Sequence, residues 1–324
     1  MLIRYVARRV ASSIPVAFGV TLITFLLLHA VAGSFVPGLT LNPDMTPQDV
    51  ERIRHNLGLD QPLPVQYFIW ITGLLHGDFG HSLIDGTSVT SEILARLPNT
   101  LELVSTSILL ALLIAVPLGS AGALRVGSLL DRVITLMSVA GISMPSFWIG
   151  LLLILVLSIW LHSIGYGGLP SSGAQSPIGG GDPLDRLAHL AMPATVLTFY
   201  YVAIWSRFTR SSMLEALSQE YVKTARAKGL RERRVVFIHA LRNAIVPLVT
   251  LVGLELPGLF SGAALVEVVF GWPGVGNLAL QKAFEYDFTT VLGITTFVSI
   301  FVVMGNLVAD VLLAILDPRV KYKT

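Results

Sequence analysis

Apolar residues fall in six long blocks, separated by stretches of mixed or polar character. The blocks run over about 10–31, 99–124, 133–161, 189–206, 245–266 and 288–316. A helix needs about 20 apolar residues to cross a bilayer, and each block is near or above that length. The chain is therefore predicted to be an all-α polytopic membrane protein with six transmembrane helices. Pro145, in SMPSFWIG, predicts a kink or break in the third helix. The fourth helix is expected to run on past Ser206 through SRFTRSSMLEAL.

The intervening stretches have their own punctuation. In 32–98, TPQDVERIRHNLGL opens with Thr46 and Pro47 and closes at Gly58, which predicts a short helix. Tyr67, Phe68 and Trp70 follow, and they suit the depth of a membrane interface. Residues 169–183, LPSSGAQSPIGGGDP, read as a loop. Residues 267–287, EVVFGWPGVGNLALQKAFEYD, are too polar and too rich in Gly and Pro to span.

Charge orients the six helices. Of the 22 Lys and Arg, three precede the first span, two lie in 125–132, nine in 207–244 and three after the last span. Only five fall in the alternate segments, so the positive-inside rule places both termini in the cytoplasm. Ala30-Val31-Ala32 resembles a signal-peptidase site. The preceding apolar run is longer than the roughly 7–15 residues of a signal core, so an uncleaved first span is expected. The resulting division is 1–31 as a cytoplasmic tail and first helix, 32–94 as an extracytoplasmic region, and 95–317 as the membrane domain, with 207–244 as its cytoplasmic loop.

Composition narrows the function classes. Only 13% of residues are charged, against about 25% in soluble domains. The net charge of +2 offers nothing to nucleic acid, and the lack of Cys removes disulfides and thiolate metal sites. No P-loop, H-E-x-x-H or G-x-S-x-G is present, and the seven His are scattered without ligand spacing. No bound cofactor or metal is expected, and the chain reads as a transport subunit rather than an enzyme. The ionisable groups in or near spans are candidates for function, because charge in hydrocarbon is costly. Glu255 is a candidate lining group of a pathway or an interhelix contact. Asn306 and Asp310 share one helix face and suit interhelix hydrogen bonding. Glu102 and His29 lie near span ends, where solvation accounts for them.

Residues 219–247, QEYVKTARAKGLRERRVVFIHALRNAIVP, are basic and compatible with water, between apolar blocks. A short helix is predicted over 219–228 with Gly229 as its stop, and a second over 231–243 ahead of Pro247. Tyr221, Ala225 and Lys228 would share one face, and the small Ala225 and Gly229 would admit a close neighbour. Two such helices between spans form a knob suited to docking.

EYVKTARAKGL followed by HALRNA resembles the EAA loop of ABC-importer permeases, in the form used by the dipeptide/oligopeptide/nickel branch. YVARRV, LGLDQPLPVQY, HGDFGHSL, SMPSFWIG, EVVFGWPGVGNL and NLVADVLLAILDPRV resemble that branch in the same order, so the likeness covers nearly the whole chain. One departure is AVAGSFVPG after the first span, where the family commonly has a P-G-D-P-like turn. The resemblance implies a type I ABC importer transmembrane fold. It makes Glu220, Tyr221, Thr224, Ala225, Lys228, Gly229, His239 and Arg242 the candidate ATPase-coupling residues. It also implies a second homologous permease, two ABC ATPase subunits carrying ATP and Mg, and an extracytoplasmic solute-binding protein. Peptides are the implied cargo, with nickel or another small solute as the alternative. An ion-coupled secondary transporter using the intramembrane carboxylates is the rival class.

Overall fold

The computed structural model describes residues 2–39, 61–82, 84–177 and 179–316, with the side chains of 2–5, 28–29, 31–39, 254–262 and 312–316 left out of the description. The helices are α1 (Leu2–Leu39), α2 (Leu63–Leu75), α3 (Val89–Leu124), α4 (Leu129–Ser143), α5 (Ser146–Ser163), α6 (Pro183–Ser218), α7 (Glu220–Ala227), α8 (232–269), α9 (Val275–Phe284) and α10 (Phe288–Leu316). Six of them, α1, α3, α5, α6, α8 and α10, are long and apolar enough to cross a membrane. Among the described residues the only extended pairing is an isolated bridge between His81 and Ser88. The helix expected over 46–58 lies outside the described residues.

The block at 133–161 is two helices. α4 ends at Ser143, Met144 is extended (φ −89°, ψ 127°), and α5 restarts after Pro145. A residue before proline is pushed out of the helical region, so the break falls where Pro145 predicts it. Ser128 caps α4 by accepting the N–H of Asp131 at 3.3 Å. α5 then crosses, winding as a π-helix over Ile154–Trp160.

α3 begins ten residues before the expected 99, and Pro98 and Pro117 both lie inside it. α6 continues unbroken to Ser218, as SRFTRSSMLEAL suggests. These two helices pack along most of their length. The inner face of α3 carries Ser107, Ala111, Ala115 and Gly119 at four-residue spacing, all buried. A Cβ on Gly119 would stand 2.5 Å from the Ser206 carbonyl of α6. Gly141 of α4 meets Ala203 of α6 in the same manner, at 2.6 Å. Small residues let helix backbones approach in a membrane, where dispersion and hydrogen bonds replace the hydrophobic effect between helices. Trp205, Met192, Leu103, Leu248 and Phe270 fill the centre that this approach encloses.

The second short helix expected over 231–243 is instead the beginning of α8, which passes Pro247 without ending. Its first turns are π-wound over Val235–Ala240. Val236, Ala240, Ala244 and Leu248 form one buried stripe at four-residue spacing across that proline. Continuous burial on this face outweighs the single backbone donor lost at Pro247, whose ring lies exposed.

Candidate functional site

The knob is built from α7 and the first turns of α8. Val222 and Ala225 point inward and pack with Met213 and Ala216 at the end of α6 and with Val235, Val236 and Ala240 of α8. Glu220, Tyr221, Thr224 and Lys228 are exposed. Ala225 thus belongs to the buried side of α7 and does not share an outward face with Tyr221 and Lys228. The amphipathic period of α7 decides this, because Val222 is its one large aliphatic residue and the face it anchors is three residues from Ala225.

Gly229 closes α7. It has φ +75°, its N–H donates to the Arg226 carbonyl at 2.9 Å, and the Leu230 N–H reaches the Ala225 carbonyl at 3.4 Å. These two bonds are the Schellman pattern, and Leu230 completes it by packing on the same apolar cluster as Ala225. A Cβ at Gly229 would meet nothing within 4 Å of this chain, so within the chain the glycine is required for its left-handed backbone. Arg226 pairs with Glu232 at 2.7 Å across this turn, and Lys223 pairs with Glu220 at 2.7 Å. Arg231, Arg233, Arg234 and Arg242 remain exposed around the knob, while His239 is half-buried on α8.

A clamp holds the cytoplasmic end of α6. Arg210 Nε donates to Asp131 Oδ1 at 2.5 Å and its second nitrogen to Oδ2 at 2.9 Å. The Gly127 N–H also donates to Oδ2, at 2.9 Å. The Arg210 hydrogen bonds, then the Gly127 N–H, hold the Asp131 carboxyl below its ordinary pKa. Eight residues of helix separate Arg210 from the start of the knob, so the clamp fixes α7 to the α3–α4 corner. In the sequence Asp131 and Arg210 are ordinary loop and helix charges, and no local signal pairs residues 79 positions apart.

A second polar centre lies at the outer end. Glu267, fully buried near the end of α8, accepts the Thr100 hydroxyl at 2.6 Å and the N–H groups of Gly276 and Asn277 at 2.8 and 3.1 Å. Thr100 Oγ1 accepts the Val275 N–H at 2.9 Å. Asn99 accepts the Trp272 indole N–H through its backbone at 3.0 Å and donates to the Pro273 carbonyl at 2.8 Å. These bonds tie the 270–277 turn and α9 to α3. Beside them Arg186 of α6 forms an ion pair with Glu102 and stacks 4.9 Å over Trp272. Glu102 is therefore half of an interhelix pair, and solvation at a span end does not account for it. Outward again, Lys282 of α9 is nearly buried among Glu92, Asp85, Glu285 and Asp287, at 3.3 to 3.8 Å. Burial alone would lower its pKa, and the Glu92 and Asp85 carboxylates outweigh that and leave it raised.

Of the candidate pathway groups, the side chains of Asn306 and Asp310 are described. Asp310 of α10 pairs with Arg9 of α1 at 3.2 Å, the interhelix contact its position suggests. Asn306 is exposed. The side chains of Glu255 and His29 lie outside the described residues.

Six spans, a basic knob on a Schellman-capped helix and a stapled turn at the opposite end define a multi-pass membrane protein. Residues 96–322 match the family described as binding-protein-dependent transport system inner membrane component, and residues 1–104 match the family of its N-terminal part. The chain belongs to this family of ABC-importer permeases. It is 42% identical over 319 residues to the oligopeptide transport system permease protein AppB of Bacillus subtilis, covering 98% of this chain and 99% of that one. It is 34% identical to the dipeptide transport system permease protein DppB of Escherichia coli K12, covering 99% and 100%. A chain of the MetNI methionine ABC transporter, solved in inward-facing conformations, aligns with TM-score 0.53 at 17% identity over 70% of this chain and 96% of that one. That likeness establishes the type I importer fold.

Proposed function

We propose that this chain forms half of the translocation pathway of an ATP-driven importer of di- or oligopeptides. The observation that carries it is the knob. α7 is seated by Val222 and Ala225 while its polar residues are exposed. That arrangement suits a docking helix for an ATPase groove, with Glu220, Tyr221, Thr224 and Lys228 as its contact face. Gly229 and Ala225 set its shape, and His239 and Arg242 flank it. The partners are a second homologous permease, two ABC ATPase subunits that carry the ATP and Mg, and an extracytoplasmic binding protein that delivers the peptide. The setting is the inner, cytoplasmic membrane of a prokaryote. The names of the relatives favour peptides over nickel or another small solute.

Affinity purification from native membranes tests this reading. Recovery of a second six-span protein and P-loop ATPases, with ATP-dependent uptake of labelled dipeptides in proteoliposomes, is the expected result. A chain recovered alone and active without ATP would overturn it in favour of ion-coupled transport. The paired substitution Arg233→Glu and Arg234→Glu is expected to weaken ATPase association more at low salt than at high salt, since exposed charges are screened within about 10 Å at 0.1 M.

A further inference from the structure

α2 is thirteen residues long, LPVQYFIWITGLL, and carries no charge. It is too short to cross a bilayer, and runs of about 10–14 apolar residues belong to core, re-entrant or interfacial helices. Its inner side packs on α1. The Tyr67 hydroxyl shares a hydrogen bond of 2.9 Å with Thr21, its ring lies 5.9 Å from Phe18 and 5.2 Å from Phe25, and Trp70 lies 5.8 Å from Phe25.

These contacts set its depth. The apolar block of α1 reaches at least to Leu27. Thr21 lies at least six residues short of its outer end, or about 9 Å or more at 1.5 Å per residue. Phe18 is deeper by another turn. The chain leaving α2 makes a second contact on a different helix. Phe79 rests 5.5 Å from Phe297, nine residues or about 13 Å along α10 from its first residue Phe288. The α1 contacts place α2 beside the apolar part of the spans, and Phe79 keeps the chain that leaves it against α10.

Most of the end groups of α2 are satisfied within the segment, as a water-poor setting favours. Pro62 and Pro64 have no N–H, and the Pro62 carbonyl accepts the N–H groups of Val65 and Gln66 at 2.9 and 3.1 Å. At the other end the N–H groups of His76, Gly77 and Asp78 return to the carbonyls of Gly73 and Leu74, at 2.9 to 3.0 Å. The Thr72 hydroxyl donates to carbonyls of its own helix. The remaining face shows Val65, Phe68, Ile69 and Leu75 outward, Phe68 at 68% and Leu75 at 80% exposure.

We infer that α2 is a membrane-embedded helix of the outer leaflet, and that its Val65–Phe68–Ile69–Leu75 face is covered by lipid acyl chains. The region between the first two spans is then not wholly external: it dips into the bilayer against α1 and returns along α10.

The absence of Cys makes the test clean. Full-length Phe68→Cys, Ile69→Cys and Asp78→Cys variants are made in the assembled transporter and, separately, in the chain alone. Each is reconstituted into phosphatidylethanolamine–phosphatidylglycerol vesicles and labelled with a fluorophore before reconstitution. The expected result is strong quenching of the Phe68→Cys and Ile69→Cys labels by nitroxide-bearing acyl chains, loss of quenching by aqueous iodide, and the reverse at Asp78→Cys. Quenching at 68 and 69 by iodide as strong as at 78 overturns the inference in favour of a helix in water. Labels at 68 and 69 that acyl nitroxides reach in the isolated chain but not in the assembled transporter also overturn it, in favour of a face covered by the second permease. Both substituted side chains are exposed, so neither variant removes a core contact.

Discussion

Glu267 of α8 accepts the hydroxyl hydrogen of Thr100 of α3 at 2.6 Å, and the two residues stand 167 positions apart in the chain. Through the same carboxylate α8 also receives the N–H groups of Gly276 and Asn277. One buried acceptor thus closes the outer ends of two spans and the start of α9.

Glu267→Ala leaves three buried donors without their acceptor. Each costs roughly 1–3 kcal/mol, so the variant is expected to lose about 3 kcal/mol or more. Glu267→Gln keeps one carbonyl oxygen for the backbone N–H groups, and its amide can donate to Thr100, so it should lose clearly less. Thermal unfolding midpoints of the detergent-purified chains check the order. Equal midpoints for Ala and wild type would remove the latch from the account.

Gly274 and Gly276 are held to glycine by the same carboxylate and its neighbour. A Cβ at 274 would overlap the Glu267 carboxylate, and one at 276 would overlap Ala264. Gly274→Ala is expected to lower the yield of monodisperse protein in fluorescence size-exclusion, and Gly274→Ala with Glu267→Ala should not be worse than Glu267→Ala alone. The double variant behaving additively would show that the overlap is not the cause.

At Gly229 the backbone angle is the constraint. Gly229→Ala forces a Cβ into left-handed space at about 1–2 kcal/mol and should loosen α7. Gly229→Asn, which tolerates that region, should keep most uptake. Gly229→Trp is expected to abolish uptake while the protein still inserts. Peptide uptake in cells, normalised to membrane abundance, distinguishes these. Asn as damaging as Trp would mean that side-chain bulk, not φ, decides.

Asp131→Asn and Arg210→Lys attack the clamp from its two sides. Losing the bidentate geometry between charged groups should lower the unfolding midpoint in both variants. The folded Asp131 pKa is depressed, so its contribution is fully present above the ordinary value of 3.8 and disappears only as pH falls through the lower folded value. The difference between Asp131→Asn and wild type should therefore stay constant from neutral pH down to about 5. A difference that shrinks within that window would contradict the pairing.

Tyr286 ends α9 at φ +62°, the one described non-glycine residue with a positive φ. Tyr286→Gly relieves strain of about 1 kcal/mol and should raise the unfolding midpoint or leave it unchanged. A lower midpoint would mean that the exposed Tyr286 ring, 6.3 Å from Phe288, contributes more than its backbone costs.

Much of this protein is legible in one dimension. Six apolar blocks, the bias of Lys and Arg to alternate segments, the break at Pro145 and the stop at Gly229 all follow from local chemistry: hydrocarbon length, charge placement, a missing N–H and a left-handed turn. Those are properties of short windows, so short windows reveal them. What only the tertiary structure decided is which polar side chains meet. Thr100 finds Glu267, Asp131 finds Arg210, Glu102 finds Arg186 and Arg9 finds Asp310 across separations of many residues, and no periodicity encodes such a pairing. It also decided that Ala225 faces inward, that α8 ignores Pro247, and that α2 lies beside α1 rather than above it. In each case burial against a distant helix outweighed the local signal, because in a membrane the close fit of small residues and the satisfaction of every buried donor select the arrangement.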